Sequence, residues 1–218
     1  EGATEVAPAV RELLDRLGLT AIAVNSGLGN VDKEERRRRF AGLVTFTKQI
    51  GAPVLTLPAR GESMAAAVKE YALFTSMARD AGIQLTVETH RGQLTEFPEH
   101  ACELVDKVPG LGLTLDPAHY YAGPNDGEAF DIVYPYVRHV HVRDGARGRE
   151  NIQVPMGEGD IDFGEIMSAL AAQGYRGAFS VEYIDKIGSL DTVSEVQKAR
   201  AVVEREWATR IGQAACQG

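Results

Sequence analysis

The residues most able to carry chemistry in this sequence end four short apolar runs, at residues 83–90, 111–119, 139–144 and 178–183. Each run has the length and the β-branched or aliphatic content of a buried strand. The ionisable residues at issue are Glu88, Asp116, His141 and Glu182. Carboxylates and imidazoles bind divalent cations such as Mn²⁺, Mg²⁺ and Co²⁺, and also Zn²⁺. These four residues therefore predict a site for a divalent ion.

The carboxylates also have a structural interpretation, because a side chain at the end of a strand can cap the next helix. Asp116 is a candidate for that role, since Pro117 follows it and proline favours the first turn of a helix. Glutamate is a poor N-cap, and a Glu88 or Glu182 buried at a strand end is costly unless it is paired or bound to a metal. Metal binding is thus favoured for the two glutamates, and for Asp116 it stays open beside capping.

Histidine is concentrated in the same places. A single buried histidine is more often structural than functional, but four of the five histidines lie at or just past predicted strand ends. Those four are His90, His119, His139 and His141. Side chains alternate along a strand, so His139 and His141 face the same way. The clustering favours a functional site at one end of the strands.

The elements that must hold these residues alternate between helix and strand. Helical spacing, capping boxes and Gly or Pro stops predict helices over residues 6–17, 32–50, 63–80, 98–108, 127–137, 162–173 and 192–210. The apolar runs between them predict strands over residues 20–24, 53–57, 83–88, 111–116, 139–142 and 178–183. Strands that alternate with helices form a parallel sheet with right-handed crossovers. The carboxyl ends of such strands meet at one face, where barrel enzymes place their active sites.

This order predicts an α/β fold, a parallel (β/α)₈ TIM-type barrel. Such a barrel needs eight strands and about 250 residues, whereas this chain has six predicted strands in 218 residues. We therefore expect the first two βα units to be missing, so that residues 1–218 form a single TIM-barrel-like domain that is N-terminally incomplete. A doubly wound nucleotide-binding fold is the second choice, because residues 157–160 lack the Gly-x-Gly-x-x-Gly spacing.

Composition limits the classes of partner. The net charge of −8 disfavours binding to nucleic acid, and the basic cluster at residues 36–39 is expected to be solvated helix surface. The apolar runs fall short of the roughly 20 residues of a membrane-spanning helix. Cys102 and Cys216 give neither a disulfide framework nor a Cys-type zinc site. A cytoplasmic location is the default expectation.

Five motifs follow one another along the chain. They are Val87-Glu88-Thr89-His90, Leu115-Asp116-Pro117-Ala118-His119, His139-Val140-His141-Val142-Arg143-Asp144, Gly157-Glu158-Gly159-Asp160-Ile161-Asp162-Phe163 and Val181-Glu182-Tyr183. In this order they resemble the xylose isomerase-like TIM-barrel superfamily, and more narrowly its sugar phosphate isomerase/epimerase branch. The resemblance implies one metal ion bound by Glu88, Asp116, His141 and Glu182, with the two glutamates also acting as catalytic acid and base. The expected substrate-binding residues are His119, Arg147 and His90.

The same superfamily includes endonucleases that cut at abasic sites with three zinc ions and extra histidines. Where those enzymes carry an Asp-x-His pair, this chain has Asp160-Ile161-Asp162. The strands predicted at residues 20–24 and 53–57 supply no histidine either. Together with the negative charge, this difference favours one metal and a small substrate. Mn²⁺ is the expected ion, with Mg²⁺, Co²⁺ and Zn²⁺ as alternatives.

The expected function is that of a divalent-metal-dependent sugar isomerase or epimerase, acting on a ketose or related polyhydroxy ketone through an enediolate. A phosphorylated sugar would need help from Arg143, Arg147 or Arg149. Two alternatives stay open: a metal-dependent dehydratase or lyase on a keto-sugar or keto-polyol, and a non-catalytic sugar-binding relative. The expected partner is a small-molecule sugar, with a homo-oligomer as an option and with neither nucleic acid nor membrane. Tyr183 is a candidate for the pocket wall, although packing is its favoured role.

Overall fold

The computed structural model describes residues 2–185 and 190–215. Within these ranges the chain forms six strands and seven α-helices in alternating order, with a 3₁₀ helix over Asp131–Tyr136. The strands are β1 (Val24–Asn25), β2 (Val54–Pro58), β3 (Gln84–Glu88), β4 (Gly112–Leu115), β5 (Val137–Val142) and β6 (Phe179–Val181). The α-helices are α1 (Gly2–Leu17), α2 (Lys33–Ile50), α3 (Met64–Asp80), α4 (Pro98–Lys107), α5 (Pro117–Tyr121), α6 (Phe163–Ala172) and α7 (Thr192–Ala215).

The chain divides into two compact units. The first comprises the chain up to Glu88 together with the segment Glu103–Gly112. The second comprises Thr89–Cys102 and the chain from Leu113 onward. In each unit the hydrogen-bonded order of the strands is their order in the chain, β1-β2-β3 in the first and β4-β5-β6 in the second. The single domain expected from the sequence stays a prediction.

The first unit packs helices α2 and α3 beside three parallel strands. Leu55 pairs in register with Leu85, and both side chains are buried. Between the helices, Phe40 stacks on Phe74 with ring centroids 4.1 Å apart. Helix α2 is capped by Gly51, whose positive φ of 78° is the left-handed conformation that glycine adopts without a Cβ penalty. This unit places Glu88 at the carboxyl end of β3.

The second unit carries the strand ends of greatest interest. Strands β4, β5 and β6 are parallel, with Leu115 opposite Val140 and His141 opposite Ser180. Thr89, which follows β3 in the chain, donates from its backbone N–H to the Thr114 carbonyl at 2.9 Å. The polar residues that follow β4 and β6 therefore emerge beside the end of β5.

Several helix starts confirm the sequence prediction. The side chains of Asp32, Ser63 and Asp162 each accept a hydrogen bond from a backbone N–H three residues on, at 2.8–3.2 Å. These bonds satisfy donors that the first turn of a helix leaves without partners. Helix α4 begins at Pro98, as expected for proline in a first turn.

Three details differ from the prediction. The spacing of Thr192 and Glu195 predicts Thr192 as the N-cap of the last helix. This prediction is wrong, because the Thr192 hydroxyl donates to Asp185 at 2.6 Å while Asp191 lies at the capping position. The helix expected over residues 127–137 is the short 3₁₀ helix; Pro135 has no N–H to donate to an α-helical bond. Strand β1 is shorter than expected, since pairing to β2 begins only at Val24.

Among the described residues there is no helix both long enough and apolar enough to cross a membrane.

Candidate metal centre

Three of the four predicted ligands converge in the second unit. Asp116 follows β4, His141 is the penultimate residue of β5, and Glu182 follows β6. Each can offer one ligand atom, and these atoms lie within 4.8 Å of one another. His141 Nδ1 and Glu182 Oε2 are 2.9 Å apart. The alternating pattern of the parallel strands thus brings two carboxylates and an imidazole to one point.

Glu88 is the last residue of β3 and lies in the first unit. Its side chain is buried, with the residue only 7% exposed. One peptide bond joins it to Thr89, which is tied to Asp116 twice. The Asp116 N–H donates to the Thr89 hydroxyl at 2.9 Å, and this hydroxyl lies 3.3 Å from the Asp116 carbonyl, its own acceptor. The role of Glu88 as a fourth ligand stays a prediction.

Asp116 takes the capping role that its sequence context left open beside metal binding. It is fully buried, and its Oδ1 caps α5 by accepting a hydrogen bond from the Ala118 N–H at 3.0 Å. Its Oδ2 accepts a charge-assisted bond from Arg143 at 2.6 Å. Burial raises the pKa of Asp116, but the charge of Arg143, the nearby His119 and His141 and the hydrogen bond from Arg143 together outweigh burial and hold this pKa below its ordinary value. A carboxylate has about four acceptor positions, so capping does not prevent ligation.

Glu182 is also held in its charged form. Burial raises the pKa of Glu182, whereas the hydrogen bond and the charge of His141 lower it, and the net direction is downward. The Glu182 backbone N–H donates to the Val142 carbonyl at 2.9 Å, which continues the pairing of β6 with β5 past the end of the strand. An ionised carboxylate fixed beside an imidazole is suited to binding a cation.

The three residues fit a divalent ion in chemistry and in spacing. Adjacent ligands about 2.1 Å from a six-coordinate ion are about 3.0 Å apart, and the His141–Glu182 separation of 2.9 Å matches this value. Oxygen and imidazole donors suit Mn²⁺, Mg²⁺ or Co²⁺, and Zn²⁺ also accepts them. These side chains can therefore hold a metal ion.

Arg143 is the main residue whose role sequence reasoning missed. It is 3% exposed, and besides Asp116 its Nη2 contacts His119 Nε2 at 2.8 Å. The sequence suggested Arg143 only as an aid to binding a phosphorylated sugar. A signal was available, because side chains alternate along a strand and Arg143 stands two residues beyond His141. The same alternation places His139, His141 and Arg143 on one side.

The histidines separate into two pairs. His90 and His119 stack with ring centroids 3.7 Å apart, and burial lowers the pKa of His119 to about 3. His139 lies two residues before His141 on β5, and its Nε2 contacts the Ser180 hydroxyl at 2.8 Å. Burial and then the neighbouring His141 lower the pKa of His139 to about 4. The His119 and His139 rings are therefore neutral at physiological pH.

Arg147 lies on the exposed loop that follows β5. Its guanidinium carbon stands 5.8 Å from the centroid of the Tyr121 ring, and its Nε donates to the Asp126 carbonyl at 2.8 Å. These contacts fix the side chain against α5 and the segment after it. The predicted contact of Arg147 with substrate stays a prediction.

The same loop is braced from within by Asp144. This carboxylate is only 2% exposed. Its Oδ1 accepts the Gly145 N–H at 2.9 Å, and its Oδ2 accepts those of Gly157 and Gly159 at 2.7 and 3.1 Å. Despite these bonds, burial raises the pKa of Asp144. Asp144 therefore stabilises the loop by accepting its backbone N–H groups, although, like Asp116, it follows a strand.

Residues just beyond Glu182 hold the far part of this loop. The Tyr183 hydroxyl accepts the Asp144 N–H at 3.1 Å and donates to the Val154 carbonyl at 3.2 Å. The Gln153 amide exchanges two bonds with the backbone of Ile184, at 2.7 and 3.0 Å. The hydroxyl of Tyr183 thus joins two parts of the chain, in keeping with the packing role favoured by its sequence context.

A cavity of about 410 Å³ opens beside this loop, between residues 156–164 and helix α7. Asp144, Phe163 and Arg205 are among the residues that line it. Asp116, His141 and Glu182 are absent from its described lining. The cavity is therefore a feature separate from the ligand cluster.

Comparison with known proteins gives a family match and a fold match. The model of the family described as xylose isomerase-like TIM barrel matches residues 3–207. An uncharacterized protein of Methanocaldococcus jannaschii is 32% identical over 114 residues, which is 49% of this chain and 39% of that protein. The chain thus matches less than half the length of this relative.

Two solved structures illustrate the fold match. A D-tagatose 3-epimerase-like protein aligns with a TM-score of 0.75 and 20% identity, over 96% of this chain and 85% of its own. The IolI protein, whose crystal structure contains a zinc atom, aligns with a TM-score of 0.70 and 21% identity, over 92% of this chain and 82% of its own. TM-scores of this size establish a shared fold, and at identities near 20% they establish the fold alone. The α/β TIM-type fold predicted from the sequence is confirmed.

Proposed function

Because the chain belongs to the xylose isomerase-like TIM-barrel family, we propose that it is a divalent-metal-dependent sugar isomerase or epimerase. Its substrate is a ketose or a related polyhydroxy ketone. The observation that carries this proposal is the convergence of Asp116, His141 and Glu182 at the ends of three parallel strands. The fold similarity to a D-tagatose 3-epimerase-like protein supports the substrate class.

Glu88 completes the ligand set in this proposal. It precedes Thr89 by one peptide bond. The Thr89 hydroxyl accepts a hydrogen bond from the Asp116 N–H and donates one to the Asp116 carbonyl. A Glu88 carboxylate buried at a strand end needs a partner or a metal to offset the loss of hydration. In this proposal Glu88, Asp116, His141 and Glu182 would together hold the divalent ion.

The charge of the site favours a neutral substrate. Glu88, Asp116 and Glu182 carry three negative charges, which one divalent ion and the Arg143 guanidinium balance. A phosphorylated sugar would add a dianion to a site whose buried arginine already donates to Asp116 and His119. Arg147 is engaged with Tyr121 and the Asp126 carbonyl. We therefore propose an unphosphorylated sugar.

The bound ion would supply Lewis acidity toward the carbonyl group of the substrate. The two glutamates would carry the proton. One carboxylate accepts the proton from the carbon next to the carbonyl, and the electron pair of that C–H bond moves into the enediolate. The other carboxylate returns a proton. Return to the opposite face of the same carbon inverts it, whereas return to the neighbouring carbon converts the ketose into an aldose.

The test is exchange of the carbon-bound proton. Purified protein supplied with Mn²⁺ is incubated with a panel of ketoses in D₂O, and deuterium incorporation is followed by mass spectrometry after the Mn²⁺ is removed. We expect exchange that a chelator abolishes and that Glu182→Gln reduces at least about 100-fold, the contribution of a general base. Glu165→Gln, which alters an exposed glutamate on α6, is the matched control.

Four results would overturn the proposal in different ways. Exchange that survives chelation would exclude a role for the metal. Full activity of Glu182→Gln would exclude this carboxylate as acid or base. Stoichiometric sugar binding without exchange in metal-supplied protein would identify a binding protein, and loss of a hydroxyl group from the sugar would identify a dehydratase.

A further inference from the structure

His90 and His119 form a stacked pair in which each ring has one nitrogen with a defined partner. His90 Nδ1 lies 2.5 Å from the backbone carbonyl oxygen of Arg91. A carbonyl oxygen can only accept, so the proton of the neutral His90 ring sits on Nδ1. His90 Nε2 is then an acceptor. The local backbone thus decides the tautomer of this ring.

The tautomer of His119 is set by a hydrogen-bond donor rather than by an acceptor. Its Nε2 lies 2.8 Å from Arg143 Nη2, and a guanidinium has donors but no acceptor. Nε2 must therefore accept, which leaves the proton of the neutral ring on Nδ1. A bond from Nε2 to Asp116 instead is excluded by the 3.7 Å separation from its Oδ2.

His119 Nδ1 is buried and has no hydrogen-bond partner among the described residues. Buried polar atoms are rarely left in this state, and such an atom in a native protein calls for a ligand or an ordered water. The atom is a donor in a ring that is 4% exposed. The His90 ring lies against it, with centroids 3.7 Å apart and planes inclined by 36°.

We propose that Arg143 is a positioning residue that fixes His119 as its Nδ1–H tautomer, so that the stacked pair offers a substrate one donor and one acceptor. The donor is His119 Nδ1 and the acceptor is His90 Nε2. A sugar hydroxyl donates and accepts at once, and it therefore matches both atoms. An ionised phosphate only accepts, so it matches the donor alone. This inference rests on the proposed function for the identity of the ligand as a sugar.

The tautomer can be measured without any activity. Long-range ¹H–¹⁵N NMR distinguishes a protonated from an unprotonated ring nitrogen, and loss of its signals in His119→Asn assigns the ring. In the wild-type chain, with and without Mg²⁺, we expect His119 to be protonated on Nδ1 and not on Nε2. Arg143→Met is expected to shift the proton to Nε2, whereas Arg143→Lys, which keeps a cationic donor, is expected to restore Nδ1–H.

Two controls belong to this experiment. His90 has its tautomer set by the Arg91 carbonyl, so its signals should keep the Nδ1–H pattern in Arg143→Met. Arg200→Met removes an exposed arginine paired to Glu204 on α7 and should change neither ring. Protonation of wild-type His119 on Nε2 would overturn the proposal even if Arg143→Met does not fold. An unchanged His119 tautomer in folded Arg143→Met would overturn it as well.

The consequence for substrate binding has its own test. An asparagine amide nitrogen takes the place of His Nδ1, and a glutamine amide nitrogen takes the place of Nε2. With the ketose that exchanges fastest, we expect His119→Gln to raise KM about 10-fold more than His119→Asn, the effect of one hydrogen bond. The reverse order would overturn the proposal. If no ketose exchanges, the proposed function fails while the NMR result still decides the tautomer.

Discussion

Replacement of Asp144 by asparagine should destabilise the chain through the loop that follows β5. The carboxylate accepts three backbone N–H groups, one at Oδ1 and two at Oδ2. Asparagine has the same shape but only one acceptor oxygen. If that oxygen keeps the bonds from Gly157 and Gly159, the new NH₂ group faces the N–H of Gly145. In the flipped orientation, two glycine N–H groups lose their acceptor.

The size of the effect follows from these lost bonds. A buried donor without an acceptor costs about 1–3 kcal/mol, and once the new NH₂ is counted, either orientation of Asp144→Asn leaves at least two such groups. Removal of a buried charge offsets part of this loss, because burial raises the pKa of Asp144. We expect the free energy of unfolding to fall by about 2–4 kcal/mol. For a chain of this size that corresponds to a fall in Tm of about 5–15 °C.

Urea denaturation at pH 7, followed by circular dichroism, measures this change. The matched control is Asp80→Asn at the exposed end of α3, which should alter stability by less than about 0.5 kcal/mol. Gly159→Ala tests the same contact independently, because a Cβ there would collide with Asp144 Oδ1 and the Gly145 carbonyl. Wild-type stability in both Asp144→Asn and Gly159→Ala would refute the account of this loop.

Three further variants follow from other contacts of the second unit. Glu195→Gln should flatten the loss of stability in acid. Hydrogen bonding to Lys198 lowers the pKa of Glu195, so the stability that this carboxylate contributes is complete above the unfolded pKa near 4.5 and is lost as the pH falls below it. Urea denaturation between pH 3 and pH 7 measures how the free energy of unfolding depends on pH. An unchanged dependence in Glu195→Gln would contradict this. Thr89→Val should cost about 1–3 kcal/mol, because it removes the hydroxyl bonded to Asp116; thermal melts check this, and wild-type stability would count against it. Tyr183→Phe should cost about 1–2 kcal/mol by the same measurement, with no loss of metal binding, whereas lost metal binding would place its hydroxyl at the site.

The strand ends could be predicted from the sequence because their signals are local. An apolar run of strand length followed by an ionisable residue is visible in a few consecutive letters, and alternation then fixes the side to which it points. This reasoning found Asp116, His141 and Glu182, which the structure brings together. It could not tell Asp144 from Asp116, since both acids follow a strand.

What separates these two acids is contact at long range. The N–H groups of Gly157 and Gly159 that engage Asp144 lie 13 and 15 residues further along the chain. Their approach depends on the path of a loop that no periodic pattern describes. Arg143 is a similar case, because its partner Asp116 lies 27 residues away. The cap at Thr192 failed for a different reason, since Asp191 beside it can fill the same role.

The most direct test of the metal centre is the metal content of the purified chain. Protein loaded with Mn²⁺ and then desalted should retain one ion per chain by elemental analysis. His141→Ala and Glu182→Gln together should retain almost none while keeping the wild-type circular dichroism, and Glu165→Gln should retain the full amount. Failure of the wild-type chain to hold a stoichiometric ion, or full retention by the double variant, would contradict the proposed centre.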